Sequence, residues 1–188
     1  MTVRRGGRRL PRGFFEDRAL EVAPRLLNTV IWVGDRAGRI IEVEAYEGAD
    51  DPASHAFGGR TARNATMFER GGHLYAYRSY GIHTCVNVVC GPPGLASAVL
   101  LRAVAPVAGI SLMRSDRPAA RHDRDLANGP GKLTRALGLT IDHDGADLCA
   151  RQSPIELRDD GVPPPVSPRV APRVGISRAS DRPWRFRR

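Results

Sequence analysis

All four tyrosines of this chain, Tyr46, Tyr75, Tyr77 and Tyr80, fall within residues 41–87, together with three of its five histidines. The same window holds Glu44, a carboxylate set in the run Arg39-Ile40-Ile41-Glu42-Val43-Glu44-Ala45-Tyr46. Strand periodicity puts Ile41, Val43 and Ala45 on one face and Ile40, Glu42, Glu44 and Tyr46 on the other. Glu44 and Tyr46 thus point together, at the place where the strand gives way to a Gly/Asp/Pro loop. Rigid scaffolds present catalytic groups at such ends, and a carboxylate there can accept a proton from water as a general base. A solvated strand face explains Glu44 alone equally well. Its company changes the weighting. The loop through Asp50, Asp51 and Pro52 can return His55 toward Tyr46, and Tyr75 and Tyr77 share one face of a later strand. Aromatic rings beside a carboxylate form a slot for a flat, electron-poor ring, whereas core packing explains single tyrosines and not this cluster.

The elements that must hold these groups can be read around them. Residues 14–28 have helical periodicity in Phe15, Leu20, Val22, Leu26 and Leu27, with Pro24 demanding a kink or a start. Residues 29–33 and 39–46 are apolar strands joined by Gly34-Asp35-Arg36-Ala37-Gly38, a hairpin that delivers Glu44 to its end. Residues 47–60 are too polar and Gly-rich for core, and 64–70 suggest a short helical turn. Residues 73–80 and 82–90 read as a second hairpin turning at Tyr80-Gly81, followed by a strand at 96–104 and helices at 105–117 and 130–139. The last helix opens at Asn128-Gly129-Pro130, where free N–H groups could hold a phosphate or simply mark a cap. A proline-rich connection at 163–172 precedes a last short strand at 173–176. The order is that of an α+β fold: a single domain over residues 13–188 around a mixed, largely antiparallel sheet, with flanking helices and a protruding hairpin. Residues 1–12 are expected to be a mobile basic tail.

The chain has 188 residues and a formal charge of +9, from 29 basic and 20 acidic side chains, which suits a polyanionic partner. Lys132 is the only lysine, so an amine able to form a Schiff base is scarce. Cys85, Cys90 and Cys149 make an odd count without framework spacing, as expected of reduced thiols in a cytoplasmic setting. Cys85 and Cys90 with His73 and His83 lack the paired spacing of a metal site, so no metal is expected. No run approaches the roughly 20 apolar residues of a membrane span, and the N-terminus lacks the apolar segment of a signal peptide.

The motifs Glu44-Ala45-Tyr46-x-Gly48, Asp51-x-x-x-His55, Thr61-x-Arg63-Asn64-x-x-Met67-Phe68, Tyr75-x-Tyr77-x-x-Tyr80-Gly81, Asn87-Val88-Val89, Leu100-Leu101-Arg102-Ala103 and Asn128-Gly129-Pro130-Gly131-Lys132-Leu133 occur in order. In these, from about residue 12 to residue 178, the chain resembles the alkyladenine (3-methyladenine) DNA glycosylase family. The resemblance implies a base excision repair enzyme that flips alkylated purines out of duplex DNA and hydrolyses the N-glycosidic bond, with no cofactor; deaminated and etheno purines are further candidate substrates. It implies that Glu44 activates the water without a covalent intermediate. Arg102 would then position Glu44 and the water, or else form a partly buried salt bridge. Tyr46, His55 and Tyr77 would be the walls of the base pocket. Asn87 would obstruct the exocyclic amine of normal guanine, or bond a neighbouring backbone group. Tyr80 would fill the gap left by the flipped nucleotide, or fold back on its own hairpin, while Ile82, His83 and Lys132 are candidate DNA contacts. His83 and Thr84 depart from the more aromatic vertebrate pattern, and the sequence from Asp181 to Arg188 stops short of a longer family tail. A monomer acting on double-stranded DNA that contains damaged purines is expected, cytoplasmic and nucleoid-associated if bacterial. The rival readings are a non-catalytic nucleic-acid-binding domain of the same fold and a hydrolase of free nucleosides.

Overall fold

A computed structural model of the chain describes residues 5–188. In chain order its first half contains β1 (Arg8–Arg9), α1 (Ala19–Leu26), β2 (Val30–Val33), β3 (Arg36–Glu47), β4 (Leu74–Ser79) and β5 (His83–Cys90). There follow β6 (Ser97–Ala108), α2 (Ile110–Asp116), α3 (Pro130–Leu137), β7 (Ile155–Asp159), β8 (Arg169–Ala171) and β9 (Arg185–Arg187). One sheet runs β1-β7-β2-β3-β6-β5-β4, with β9 laid on β3 and β8 on β9. Every pairing among the described residues is antiparallel, which agrees with an α+β fold around a largely antiparallel sheet. Where neighbours in the sheet are also consecutive in the chain, as in β2–β3, β4–β5 and β5–β6, a turn or short loop joins them, a connection that only an antiparallel pair permits.

The core lies between the sheet and its helices, where Val22, Leu26, Met113, Leu133 and Leu137 meet Val43, Ala45, Val86, Val99 and Leu101. Helix α1 is pinned to the strands that carry the candidate site. Its first N–H groups have no partner of their own within the helix, and the sheet supplies two: Ala19 N–H donates to Ser97 Oγ at 2.7 Å, and Leu20 N–H to Glu47 Oε1 at 2.9 Å.

Strict alternation along β3 fails at Ile41. From Ile40↔Val104 to Glu42↔Ala103 strand β3 has one extra residue, Ile41, and from there to Val43↔Leu101 strand β6 has one extra, Arg102. A bulge leaves its extra residue unpaired and shifts the strand's phase. Ile40 therefore joins Val43 and Ala45 in the core, while Ile41 is only half-buried. The grouping of Ile41 with Val43 and Ala45, and of Ile40 with Glu42 and Glu44, is thereby corrected.

Four further expectations change. The strand expected at 96–104 continues to Ala108, so the following helix is only Ile110–Asp116. Gly109 makes that corner, with φ +69° and its Cα so close to β3 that a Cβ would lie 2.7 Å from Asp35 O. The strand expected at 173–176 is irregular, and the C-terminal strands are β8 and β9. A mobile tail through residue 12 does not fit the described part: Arg8 and Arg9 pair with Asp159 and Arg158, Leu10 is buried, and Arg12 binds Asp147 at 2.6 Å. Residues 1–4 of that tail lie outside the described residues. Finally, the polar loop after β3 is not all surface, because Asp51 and Ser54 are buried.

Candidate active site

Glu44 is fully buried. Three donors compensate its carboxylate for the loss of water. The Tyr46 hydroxyl donates to Oε2 at 3.0 Å, the Val174 N–H donates to Oε1 at 2.8 Å, and Arg102 Nη1 lies 3.2 Å from Oε1. The two bulges aim Arg102 here, since its Nε also donates to Glu42 at 3.0 Å. Burial alone would work against the charge on Arg102, but Glu44 and then Glu42 outweigh it and hold its pKa above the usual arginine value.

A cavity of about 430 Å³ opens beside this carboxylate, a size suited to one flat heterocycle and its attached sugar. Tyr46, His55, Tyr77, Asn87 and Arg102 all line it, with Tyr80 at its rim. Glu44 does not reach the cavity surface. Its three partners Tyr46, Arg102 and Val174 form that stretch of wall, so the carboxylate stands immediately behind them.

The aromatic wall is ordered by hydrogen bonds and ring contacts. Tyr75 and Tyr77 stack with centroids 5.6 Å apart and planes 21° apart. The His55 ring meets Tyr77 edge-on at 4.5 Å, and its Nδ1 lies 3.1 Å from the Tyr75 hydroxyl. Asn64, in the 3₁₀ turn Ala62–Phe68, holds the loop by donating to His55 O at 2.8 Å and Gly59 O at 3.0 Å. Burial, with Arg63 nearby, lowers the His55 pKa, which keeps the ring neutral at physiological pH. Burial likewise pushes the Tyr75 phenol up to about 12, and burial followed by the Glu44 charge raises that of Tyr46. These rings are therefore un-ionised, and they offer polarisable faces and hydrogen-bonding edges instead of charge.

Asn87 is buried at the cavity wall, where its Nδ2 reaches Tyr75 O at only 3.5 Å, a weak contact. Tyr80 and Gly81 form the tip of the β4–β5 hairpin with φ of +50° and +70°, and Ile82 N–H closes the turn on Ser79 O at 3.1 Å. Positive φ at both central residues is the turn that matches strand twist. For a tyrosine that conformation costs about 1–2 kcal/mol. The ring is 85% exposed, so it does not fold back on the hairpin, and Ile82 beside it is 73% exposed. His83 is exposed too, and it packs on Gly131 so closely that a Cβ there would come within 2.9 Å of it. Lys132 points outward, donating to Asn128 Oδ1 at 2.9 Å.

Some of the site carries no sequence signal. Val174 contributes a backbone N–H, which its side chain cannot announce. It is placed by Arg173, whose guanidinium forms a fully buried pair with Asp51 (Nη2 to Oδ1 2.8 Å), donates to Ala45 O at 3.0 Å, and lies 4.5 Å over the Tyr46 ring and 4.9 Å over that of Trp184. Tyr75 does carry a signal, because it stands two residues before Tyr77 on the same strand face. Among the described residues no group of His, Cys, Asp and Glu side chains could hold a metal ion, and no helix is long and apolar enough to cross a membrane.

Residues 13–188 match the family described as methylpurine-DNA glycosylase. A Burkholderia lata protein named "Putative 3-methyladenine DNA glycosylase" is 50% identical over 178 residues, covering 94% of this chain and 86% of that protein. A Rhodopseudomonas palustris (strain BisB18) protein of the same name is 48% identical over 180 residues, 96% of this chain and 87% of its own length. With its motifs folded around one cavity and the match running from residue 13 to the last residue, the chain belongs to the methylpurine-DNA glycosylase family.

Proposed function

We propose that this enzyme excises alkylated purines, among them 3-methyladenine and 7-methylguanine, from duplex DNA by hydrolysis at a nucleotide flipped into the cavity. The observation that carries the reading is the buried Glu44 carboxylate set directly behind an aromatic cavity of purine size. The base enters between Tyr46 and the His55–Tyr77 wall. Neutral, electron-rich rings stabilise a cationic methylated purine through cation-π attraction. Asn87 gives selectivity against normal guanine, whose exocyclic amine would meet it without a complementary partner.

In the reaction the bond from the sugar C1′ to the base nitrogen breaks, and its electron pair leaves with the base. A base that is already cationic departs neutral and needs no added proton. The sugar becomes oxocarbenium-like, and the Glu44 charge stabilises it. Water attacks C1′ from the cavity and loses its proton to the Glu44 carboxylate by way of the Tyr46 hydroxyl, which lines the cavity and donates to Oε2. Arg102 and the Val174 N–H hold the other oxygen and fix the orientation of the carboxylate. No step requires an amine nucleophile, and Lys132, the single lysine, is exposed and bonded to Asn128.

Duplexes carrying one damaged purine, tested beside the matching free nucleosides, check this reading. Free base should be released from the duplex only, the abasic strand should stay uncut, and borohydride should trap no protein–DNA adduct. Cleavage of the free nucleoside at a comparable rate would favour a nucleoside hydrolase, and a trapped adduct would show a lyase.

A further inference from the structure

Directly opposed residues in an antiparallel ladder put their side chains on the same face. Glu44 is opposite Arg185, which is opposite Ala171, and Glu42 is opposite Arg187, which is opposite Arg169. The face of the sheet that carries Glu44 therefore continues outward across β9 and β8 as a row of arginines. Val43, Phe186 and Val170 take the other face, where Val43 is core and Phe186 packs against it.

The charges in this row are not balanced. Glu42 alone forms ion pairs with three guanidinium groups, Arg102 Nε at 3.0 Å, Arg185 Nη1 at 3.2 Å and Arg187 Nε at 3.3 Å. With Arg169, four arginines face two carboxylates, Glu42 and Glu44. Like charges placed directly opposite one another, as Arg169 and Arg187 are, destabilise a strand pair, and an anion laid across them removes that repulsion. The Arg187 side chain is 51% accessible and Arg169 is exposed, so both retain donors for such an anion. The strip also abuts the cavity: Arg102 lines it at one end, and β8 runs into Val174, Gly175 and Ile176, which form its wall.

We infer that the β8–β9 ribbon is a phosphate-binding track, with Arg169 and Arg187 contacting the backbone of the DNA strand whose nucleotide occupies the cavity. Glu42 acts as the organiser that holds the guanidinium groups side by side without neutralising them. The inference rests on the DNA reading above and adds to it the surface over which the strand runs.

The test is the salt dependence of duplex binding, with and without a lesion. Binding by the parent chain should weaken steeply with salt, and a failure there would count against the DNA reading itself. In the Arg169→Ala/Arg187→Ala double variant the slope of log K against log salt should be shallower by about 0.9 for each phosphate no longer neutralised, roughly 1.8 in all. Lesion-bearing and undamaged duplexes should weaken together, because groups that bind phosphate do not read the base. Arg25→Ala removes an arginine from α1 on the opposite side of the sheet, where it pairs with Asp17, and should leave the slope as it is. Where removing the Arg187–Glu42 ion pair unfolds the double variant, Arg169→Ala alone serves, since Arg169 has no carboxylate partner among the described residues, and its slope should drop by about 0.9. An unchanged slope in the folded variants overturns the inference, as does an equal drop in Arg25→Ala, which would trace the effect to net charge.

Discussion

Glu44→Gln is expected to bind lesion-bearing duplex about as tightly as the parent chain while its single-turnover excision falls roughly 10²- to 10⁴-fold, the usual contribution of a general base. The local geometry explains why binding should survive. The amide oxygen can keep the place of Oε1, where it accepts from the Val174 N–H and faces Arg102. The amide nitrogen then faces the Tyr46 hydroxyl, which can turn and accept from it. Arg102 keeps Glu42 as a counterion. What the amide cannot do is take the proton of the attacking water or stabilise an oxocarbenium-like sugar by charge. Quenched-flow excision and equilibrium binding on the same duplex separate the two effects. A Gln variant with a near-normal rate would remove Glu44 from the chemistry and leave it as a buried partner of Arg102.

Tyr80→Ala is expected to slow excision from duplex by tens- to hundreds-fold and to weaken lesion binding. A ring stacked in the vacated gap recovers on the order of 1–3 kcal/mol of the stacking forfeited on flipping. Thermal stability should hardly move, because the side chain is 85% exposed. Tyr80→Gly sharpens the test, since it also relieves the left-handed backbone at φ +50°. That variant should be as stable as the parent or more so, by up to about 1 kcal/mol, and still lose excision. The penalty in both should shrink when the lesion sits in a bulge or mismatch, where the base is already loosely stacked. A marked drop in melting temperature with excision per folded molecule unchanged would make Tyr80 a packing residue and move the search for the wedge to Ile82 or His83.

The parts of this site that are legible in the sequence are those that act through side chains at short spacing. Glu44 and Tyr46 share a face because they are two apart in a strand, and Tyr77 and Tyr80 fall on the wall and the tip of one hairpin. Three kinds of information are hidden. The compensating bulges at Ile41 and Arg102 break period-two reading, and they are what carries Arg102 to both glutamates. The contribution of Val174 is a backbone donor, and its position depends on the Asp51–Arg173 pair, whose members are 122 residues apart. Strand β7 gives little strand signal, because Ile155-Glu156-Leu157-Arg158-Asp159 is short and strongly charged. Glu156 is tolerated there since Arg9 and Arg158 reach it at 2.9 and 2.5 Å. The C-terminal segment likewise reads as an open end, yet Trp184 O accepts from Ala45 N–H at 2.9 Å and β9 pairs with Glu42–Glu44, closing the sheet beside the strand that carries Glu44.

The central claim, that a damaged base leaves the duplex for the cavity in front of Glu44, is tested most directly by a crystal structure of the Glu44→Gln chain bound to a duplex with one ethenoadenine. The damaged base should lie among Tyr46, His55 and Tyr77, with its sugar C1′ facing residue 44 and the Tyr80 ring occupying the gap in the helix. A damaged base still stacked in the duplex, or seated outside that cavity with C1′ turned away from residue 44, would contradict it.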